Sequence, residues 1–439
     1  MSEARAEPVD RRTVMRTWWP LAASWLMMGF ELPAVGAVMA RLADPEVSLA
    51  AYGGVVFPLA LLIEAPIIML LSASTALSRD VPSYRKLRRF MALSAGALTL
   101  LHLLVATTPL WDVVVGHVLS APEETRAPAR LGMLLMTPWS GAIAYRRFQQ
   151  GVLIRSGRSG MVGIGTLVRL AANGVVLTIG SVLGGPGIAV GTGAVAAGVT
   201  AEALFIGLAV RPVLRRLPAV DPTARPLTRK SFVAFYTPLA LTSLLALAVL
   251  PIGAAAMGRL PRAIDSLAAW PVVNGLTFTL RSLGFAFNEV VVTLIERPGG
   301  YAALRSFART LATIVSGLLL LIAATPLASL YFSGLSGLAP PLASLAGIAL
   351  WIAIPMPALS VLQSWHTGIL VNRHRTRGVG EAIAIALLTV SGMLAALVGR
   401  LHVPGLPPVL AVFVFGQLVQ VVWLARRSAA DRLELAAGV

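Results

Sequence analysis

The stretch "PLAASWLMMGFELPAVGAVMARLADPEVSLAAY", Pro20 to Tyr52, decides the fold, because the chain carries it twice. "PLALTSLLALAVLPIGAAAMGRLPRAIDSLAAW", Pro238 to Trp270, aligns with it without a gap at an offset of 218. Pro20 meets Pro238, Pro33 meets Pro251, Met39-x-Arg41 meets Met257-x-Arg259, and Ser48-Leu-Ala-Ala meets Ser266-Leu-Ala-Ala. Further on, "TPL" at Thr108 meets "TPL" at Thr325, and "GVLIRSGRS" from Gly151 meets "GILVNRHRT" from Gly368, both at an offset of 217. Apolar helices resemble one another by chance, but chance does not align their prolines and loop residues as well.

Both copies are too apolar for a soluble protein. Of 439 residues 57% are hydrophobic and 13% charged, with a mean hydropathy of +0.80; a soluble domain carries roughly 25% charged residues. The composition implies an all-α polytopic membrane protein. The net charge of +17 belongs to membrane topology rather than to nucleic-acid binding. The absence of cysteine excludes disulfides and thiolate metal sites. The first apolar run, Thr17 to about Leu42, is too long for a signal-peptide core and reads as a retained first membrane helix.

Twelve spans are expected: 17–41, 50–76, 90–110, 128–153, 161–183, 188–210, 232–258, 268–294, 306–328, 341–370, 380–399 and 406–425. The N-terminus, the loops on its side and the C-terminus hold about 26 Lys and Arg, against about 6 on the other side, which puts both termini in the cytoplasm. The expected organisation is a tail over 1–16, a six-helix half over 17–210, a cytoplasmic linker over 211–231, a second six-helix half over 232–425 and a tail over 426–439. Six is even, so the two pseudo-symmetric bundles face the same way about an axis along the membrane normal. Such duplications place a cavity between the halves that opens to one side at a time.

Charges inside the spans single out the candidate site, since each costs roughly 2.5–3.5 kcal/mol at the bilayer centre on insertion scales. Near mid-depth lie Glu31, Glu64, Glu202 and Arg281; Arg146, Arg147 and Arg169 lie in the cytoplasmic halves of their helices. The offset of 218 pairs Glu64 with Ser282, next to Arg281. Asn274, Thr277, Arg281 and Asn288 fall at helical spacing on one side of the eighth helix, as a cavity wall would; a structural salt bridge from Arg281 to Glu64 or Glu31 is the other reading. Glu31 and Glu64 each stand two residues before a proline, in "ELP" and "EAP". A proline frees a carbonyl one turn earlier, and a carboxylate beside it makes a proton or sodium site, unless the prolines only bend the helices. Arg146 and Arg147 diverge by about 100° around their helix, so at least one faces the protein interior, while one can snorkel to the interface. Gln150 shares the face of Arg146, and the group suits a carboxylate or phosphate. Arg169 and Asn173 share a face of the fifth helix and, with Glu202 and His366, are possible lining; Glu202 can instead bond a neighbouring helix, and His366 and His102 suit packing roles. "GGPGIAVGTGAVAAGVTAEA" (Gly184 to Ala203) lacks the GK[ST] of a nucleotide loop and fits small-residue helix packing.

With these features placed, the chain resembles the multidrug/oligosaccharide-lipid/polysaccharide exporter (MOP) superfamily, with its MATE-like fold of two six-helix bundles. "FQQGVLIRSGRS" and its echo "WHTGILVNRHRT" are similar to the superfamily's segment after helices 4 and 10. Within it the chain is most similar to the progressive ankylosis (ANK) family, through "WPLA" at Trp19, "LAAYG" at Leu49, "LSRD" at Leu77, "FNEV" at Phe287, "IPMP" at Ile354 and "HTGIL" at His366. That resemblance implies export of organic anions such as citrate, nucleotides or pyrophosphate. Drug exporters of the MATE branch often use an acid in helix 1, a role Glu31 fits; the acids others use in helices 7 and 10 are missing here. Lipid-linked precursor flippases share cationic cavities but often have extra helices.

The expectation is therefore a monomeric twelve-helix secondary transporter of the plasma (bacterial inner) membrane, exporting small organic anions by alternating access through a central cationic cavity. Arg281, Arg146, Arg147, Asn274, Thr277, Asn288 and Gln150 would bind substrate; Glu31 and Glu64 would couple to H+ or Na+. The alternatives are a MATE-type cation-drug antiporter and a lipid-linked precursor flippase. No pattern points to an enzyme, a catalytic residue, a metal or a cofactor.

Overall fold

The computed structural model describes residues 8–221 and 226–437. Among them all regular structure is helical, apart from an isolated bridge between Ala43 and Pro186. Twelve helices correspond to the twelve expected spans. They are α1 (Arg11–Met39), α2 (Pro45–Leu77), α3 (Val81–Thr107), α4 (Glu123–Leu135 continued by Pro138–Arg155), α5 (Gly160–Leu183), α6 (Gly187–Arg215) and α7 (Arg229–Gly258). Then follow α8 (Ala263–Leu294), α9 (Gly300–Ala324), α10 (Pro340–Asn372), α11 (Arg377–Leu397) and α12 (Leu406–Arg427). A short α13 (Ala429–Ala437) closes the described chain. Ten of the twelve are long and apolar enough to cross a membrane by composition alone; α4 and α8 are the two that fall short. Those are the helices of Arg146, Arg147 and Gln150, and of Asn274, Thr277 and Arg281.

Packing divides the chain into two units. The N-unit is Val35–Ala268 and holds α2 to α7; the C-unit is Met1–Ala34 with Ala269–Val439 and holds most of α1 with α8 to α12. Each unit thus has six long helices, but α1 packs with the second copy of the repeat and α7 with the first. Trp18 of α1 sits edge-on to Phe307 of α9, and its indole N–H donates to the Leu283 carbonyl of α8 at 3.0 Å. In the N-unit the Tyr236 hydroxyl of α7 donates to the Pro66 carbonyl of α2 at 2.6 Å.

Within each unit the repeat reappears as the same helix contacts. Gly151 of α4 lies so close to α2 that a Cβ there would stand 2.5 Å from the Leu71 carbonyl oxygen. Gly368 of α10 lies likewise against Asn288 and Val291 of α8, the counterparts of Leu71 and Ser74 at an offset of 217. Gly198 of α6 abuts Asn173 and Arg169 of α5; Gly416 of α12 abuts Val390 and Ala386 of α11, again the counterparts. In a membrane, where burial of apolar surface does not drive helices together, such small-residue contacts let backbones approach and dispersion accumulate.

The offset falls from 218 at Tyr52 to 217 at Leu71, so α2 holds one residue more than α8. The residues Tyr52–Val56 are wound as a π-turn, the conformation that takes up a single extra residue inside an α-helix. The helix α8 has no such interruption.

Candidate functional site

The membrane-depth charges gather in two places, one inside each packing unit. In the N-unit Glu202 of α6 is fully buried and is the hub. It accepts from Arg146 Nη1 at 2.6 Å and from Gln150 Nε2 at 3.0 Å, both on α4, and Arg169 of α5 lies 4.0 Å away. The spacing of Arg146 and Gln150, one turn apart, sets both donors on the face of α4 that meets α6. The Arg169 guanidinium also stands over the Trp139 ring, 6.0 Å from its centroid. Asn173 is buried one turn along from Arg169, against Gly198.

Arg147 points elsewhere. It is half-buried, no described carboxylate lies within ion-pair distance, and its Nε lacks a hydrogen-bond partner. Glu64 of α2 is 4% exposed, and its Oε2 is also unpartnered. The charges acting on Glu64 are Arg147 most strongly, then Arg146 and Arg169. The indole of Trp139 is within its reach without meeting hydrogen-bond geometry. The outcome for the N-unit is three guanidinium groups against two carboxylates, with one ion pair closed tightly and one left open.

In the C-unit the membrane-depth cation is Arg281 of α8. Its Nε donates to Ser360 Oγ of α10 at 3.0 Å, and Gln417 Nε2 of α12 donates to the same oxygen at 3.0 Å. Ser360 in turn donates to the Met356 carbonyl, so its hydroxyl is fully used. The guanidinium lies 5.5 Å from the Phe285 ring centroid. No described carboxylate of the C-unit is within ion-pair distance of Arg281, so the bridge to Glu31 that the sequence left open is not formed there. The π-turn also corrects the repeat pairing. With the extra residue of α2 held at Tyr52–Val56, Glu64 corresponds to Arg281 itself, not to Ser282.

The other expected residues take quieter places. Arg146 and Gln150, expected on substrate, are bonded to Glu202. The Thr277 hydroxyl is spent on the Val273 and Asn274 carbonyls of its own helix. Asn274 and Asn288 are half-buried, and Asn288 Oδ1 has no partner. Glu31 is 7% exposed at the head of its helical segment, after a break at Phe30. The carbonyl that Pro33 frees is that of Gly29, and the Thr279 hydroxyl stands 3.1 Å from it, also 2.8 Å from the Gly275 carbonyl. A hydroxyl donor already faces that oxygen, where the sequence reading placed an ion. His366 is buried with Nδ1 2.9 Å from Ser428 Oγ, and His102 has Nε2 2.7 Å from the Met133 carbonyl; both are packing contacts.

Ser360, Gln417 and Trp139 were not singled out in the sequence. Among the described residues no group of three His, Asp or Glu is arranged to hold a metal ion.

No protein-family model and no curated protein matches the sequence. Solved structures do. An inward-facing multidrug resistance MATE family transporter of the MOP superfamily superposes with a TM-score of 0.70 at 17% identity, covering 94% of this chain and 96% of that one. An outward-facing structure of such a transporter gives 0.61 at 15% identity, covering 97% of both chains. A MOP superfamily transporter from Pyrococcus furiosus, described by the reverse polarity of its binding pocket, gives 0.65 at 15% identity over 98% of this chain and 97% of that one. The chain therefore has the twelve-helix fold of MATE transporters.

Proposed function

We propose that the protein is a secondary membrane transporter that exports small organic anions, of the citrate, pyrophosphate or nucleotide kind, by alternating access. The observation that carries this reading is Arg281. It is a guanidinium at membrane depth, fixed by Ser360 and Gln417 through Nε alone, with no described carboxylate of the C-unit to neutralise it. Its terminal nitrogens keep the planar fork that binds a carboxylate or phosphate through two hydrogen bonds. A bound anion would remove the cost of that isolated charge. Arg147 offers a second cation of the same kind in the N-unit. The Pyrococcus relative of fold, with its pocket of reverse polarity, supports the idea that this fold serves more than one charge class of substrate. The narrower resemblance to the ANK family points the same way. In this reading the transporter works as a monomer in the bacterial inner membrane.

A MATE-type cation antiporter is the second reading. It is favoured by Arg146, whose charge Glu202 cancels, and it requires Arg281 to be cancelled as well. Uptake of labelled citrate into proteoliposomes separates the two. The anion reading expects citrate transport by the wild type, strongly reduced by Arg281→Gln, and no transport of a lipophilic drug cation. Drug-cation transport without citrate transport would overturn it.

A further inference from the structure

Glu64 and Arg147 sit in the same packing unit, and neither is satisfied there. Glu64 is buried with Oε2 unbonded, Arg147 has Nε unbonded, and the Trp139 indole N–H of α4 is unbonded too. Each such group leaves a desolvation cost of about 1–3 kcal/mol uncompensated, more for a charged one, and Glu64 and Arg147 stand on helices packed together where Gly151 of α4 meets Leu71 and Ser74 of α2. The neighbouring charges do not resolve it. Arg146 is closed onto Glu202, with Gln150 completing that carboxylate, and Arg169 lies over Trp139 near the same Glu202. On α7, Tyr236 is committed to the Pro66 carbonyl, and on α3 the Tyr84 hydroxyl accepts from Gln149 at 3.2 Å. Glu64 thus balances Arg147 through space without holding it, and half-buried Arg147 remains open to a ligand that Glu64 itself cannot meet.

We infer that Glu64 is a releasable counter-charge for Arg147, so that the anion and one proton are bound together. The inference rests on the anion reading above. When Glu64 is ionised it offsets Arg147 and repels an incoming carboxylate. When a proton from water joins Glu64, both effects vanish and the anion takes over Arg147. Glu202 does not play this part, since both of its carboxylate oxygens are already bonded, one to Arg146 and the other to Gln150. The same position in the C-unit is Arg281, so one unit carries the proton-bearing group where the other carries a permanent cation.

The test is calorimetric titration of the full-length protein in lipid nanodiscs with citrate, in two buffers of different ionisation enthalpy, at about pH 7.5 and about pH 8.5, where citrate is fully ionised. Wild type is expected to take up about one proton per citrate, and its affinity to fall about tenfold per pH unit. Glu64→Gln is expected to bind citrate with no proton uptake and no pH dependence, and to unfold at the same temperature as wild type. Arg147→Gln is expected to bind more weakly and to lose the proton uptake. Citrate binding without proton uptake in the wild type, or uptake that survives in Glu64→Gln, would overturn the coupling and leave the anion reading standing. No citrate binding by the wild type would overturn both.

Discussion

The two units solve the same membrane problem in opposite ways. The N-unit places Arg146, Arg147, Arg169, Glu202 and Glu64 in its interior, and pairs most of that charge internally. The corresponding positions of the C-unit are Gln363, Ser364, Ala386, Gln420 and Arg281. One charge remains, and its surroundings are hydroxyl, amide and aromatic. Duplication supplied the same helix contacts twice, and divergence made one copy an ionic core of three guanidinium groups and two carboxylates and left the other a single cation at the matching positions. A charge paired inside the fold contributes to holding the fold, whereas a charge left open contributes to binding.

The contrast breaks most visibly at its strongest pair. Glu202→Ala leaves Arg146 and Arg169 buried without their carboxylate, and removing one partner of a buried pair costs about 3–5 kcal/mol. The variant should unfold at a clearly lower temperature or detergent concentration. If it matched wild type, the N-unit cluster would not be structural and Arg146 would return to the binding residues. The next largest effect should be the mirror image. Arg281→Gln removes a charge that nothing in the described C-unit neutralises, so stability should hold or rise. Anion binding should weaken by about 1.5–3 kcal/mol, roughly 10- to 150-fold. A variant that lost stability with binding intact would make Arg281 a structural residue.

Much of this architecture is legible in the sequence because it rests on periodicity. Prolines, arginine-rich loops and repeated glycines survive as marks at offsets of 217 and 218, and hydropathy places the spans. Composition alone misses α4 and α8, since the residues that make them interesting also make them polar. The partnerships are not legible. Glu202 meets Arg146 across 56 positions, and Gln417 meets Ser360 across 57. A serine and a glutamine among apolar residues carry no signal that separates a site from ordinary helix packing. Two marks could have helped. Gln417 follows Gly416, the counterpart of Gly198, and the change of offset within α2 announced an inserted residue. Counting that residue would have paired Glu64 with Arg281 at once.

The repeat contacts themselves differ in stiffness, which sharpens the comparison further. A Cβ at Gly151 would meet the Leu71 carbonyl oxygen at 2.5 Å, part of a backbone that cannot rotate away. At Gly368 it would meet Val291 Cβ and Cγ1 at 2.7 Å, of which a rotamer change moves only Cγ1, while the Asn288 carbonyl oxygen stands farther off at 3.1 Å. Overpacking costs typically about 1–3 kcal/mol. Gly151→Ala should fall toward the upper end of that range and Gly368→Ala toward the lower, read as unfolding midpoints of the two single variants. Equal losses would mean that both contacts relax by moving whole helices.

The smallest difference lies at the starts of α3 and its counterpart α9. The helix α3 is capped by Asp80, whose carboxylate accepts from the Ser83 amide at 2.9 Å and from the Ser83 hydroxyl. It also accepts from the Asp221 amide at 3.3 Å. The helix α9 starts after Gly299, at φ 75°, with no side-chain cap. Those hydrogen bonds favour the ionised form and hold the Asp80 carboxyl below its ordinary value, the Ser83 hydroxyl contributing most. A folded-state pKa below the unfolded one gives stability that is complete above the unfolded value, near 3.9. That stability is lost as pH falls through the folded value. Asp80→Ala should therefore cost about 0.5–2 kcal/mol at neutral pH, and the gap to wild type should close on acidification. Gly299→Ala, strained by its positive φ, should lose stability by an amount that does not change over the same pH range. A gap at Asp80 that stayed constant with pH would show that the loop beside α3 is held by the shape of the cap rather than by its charge.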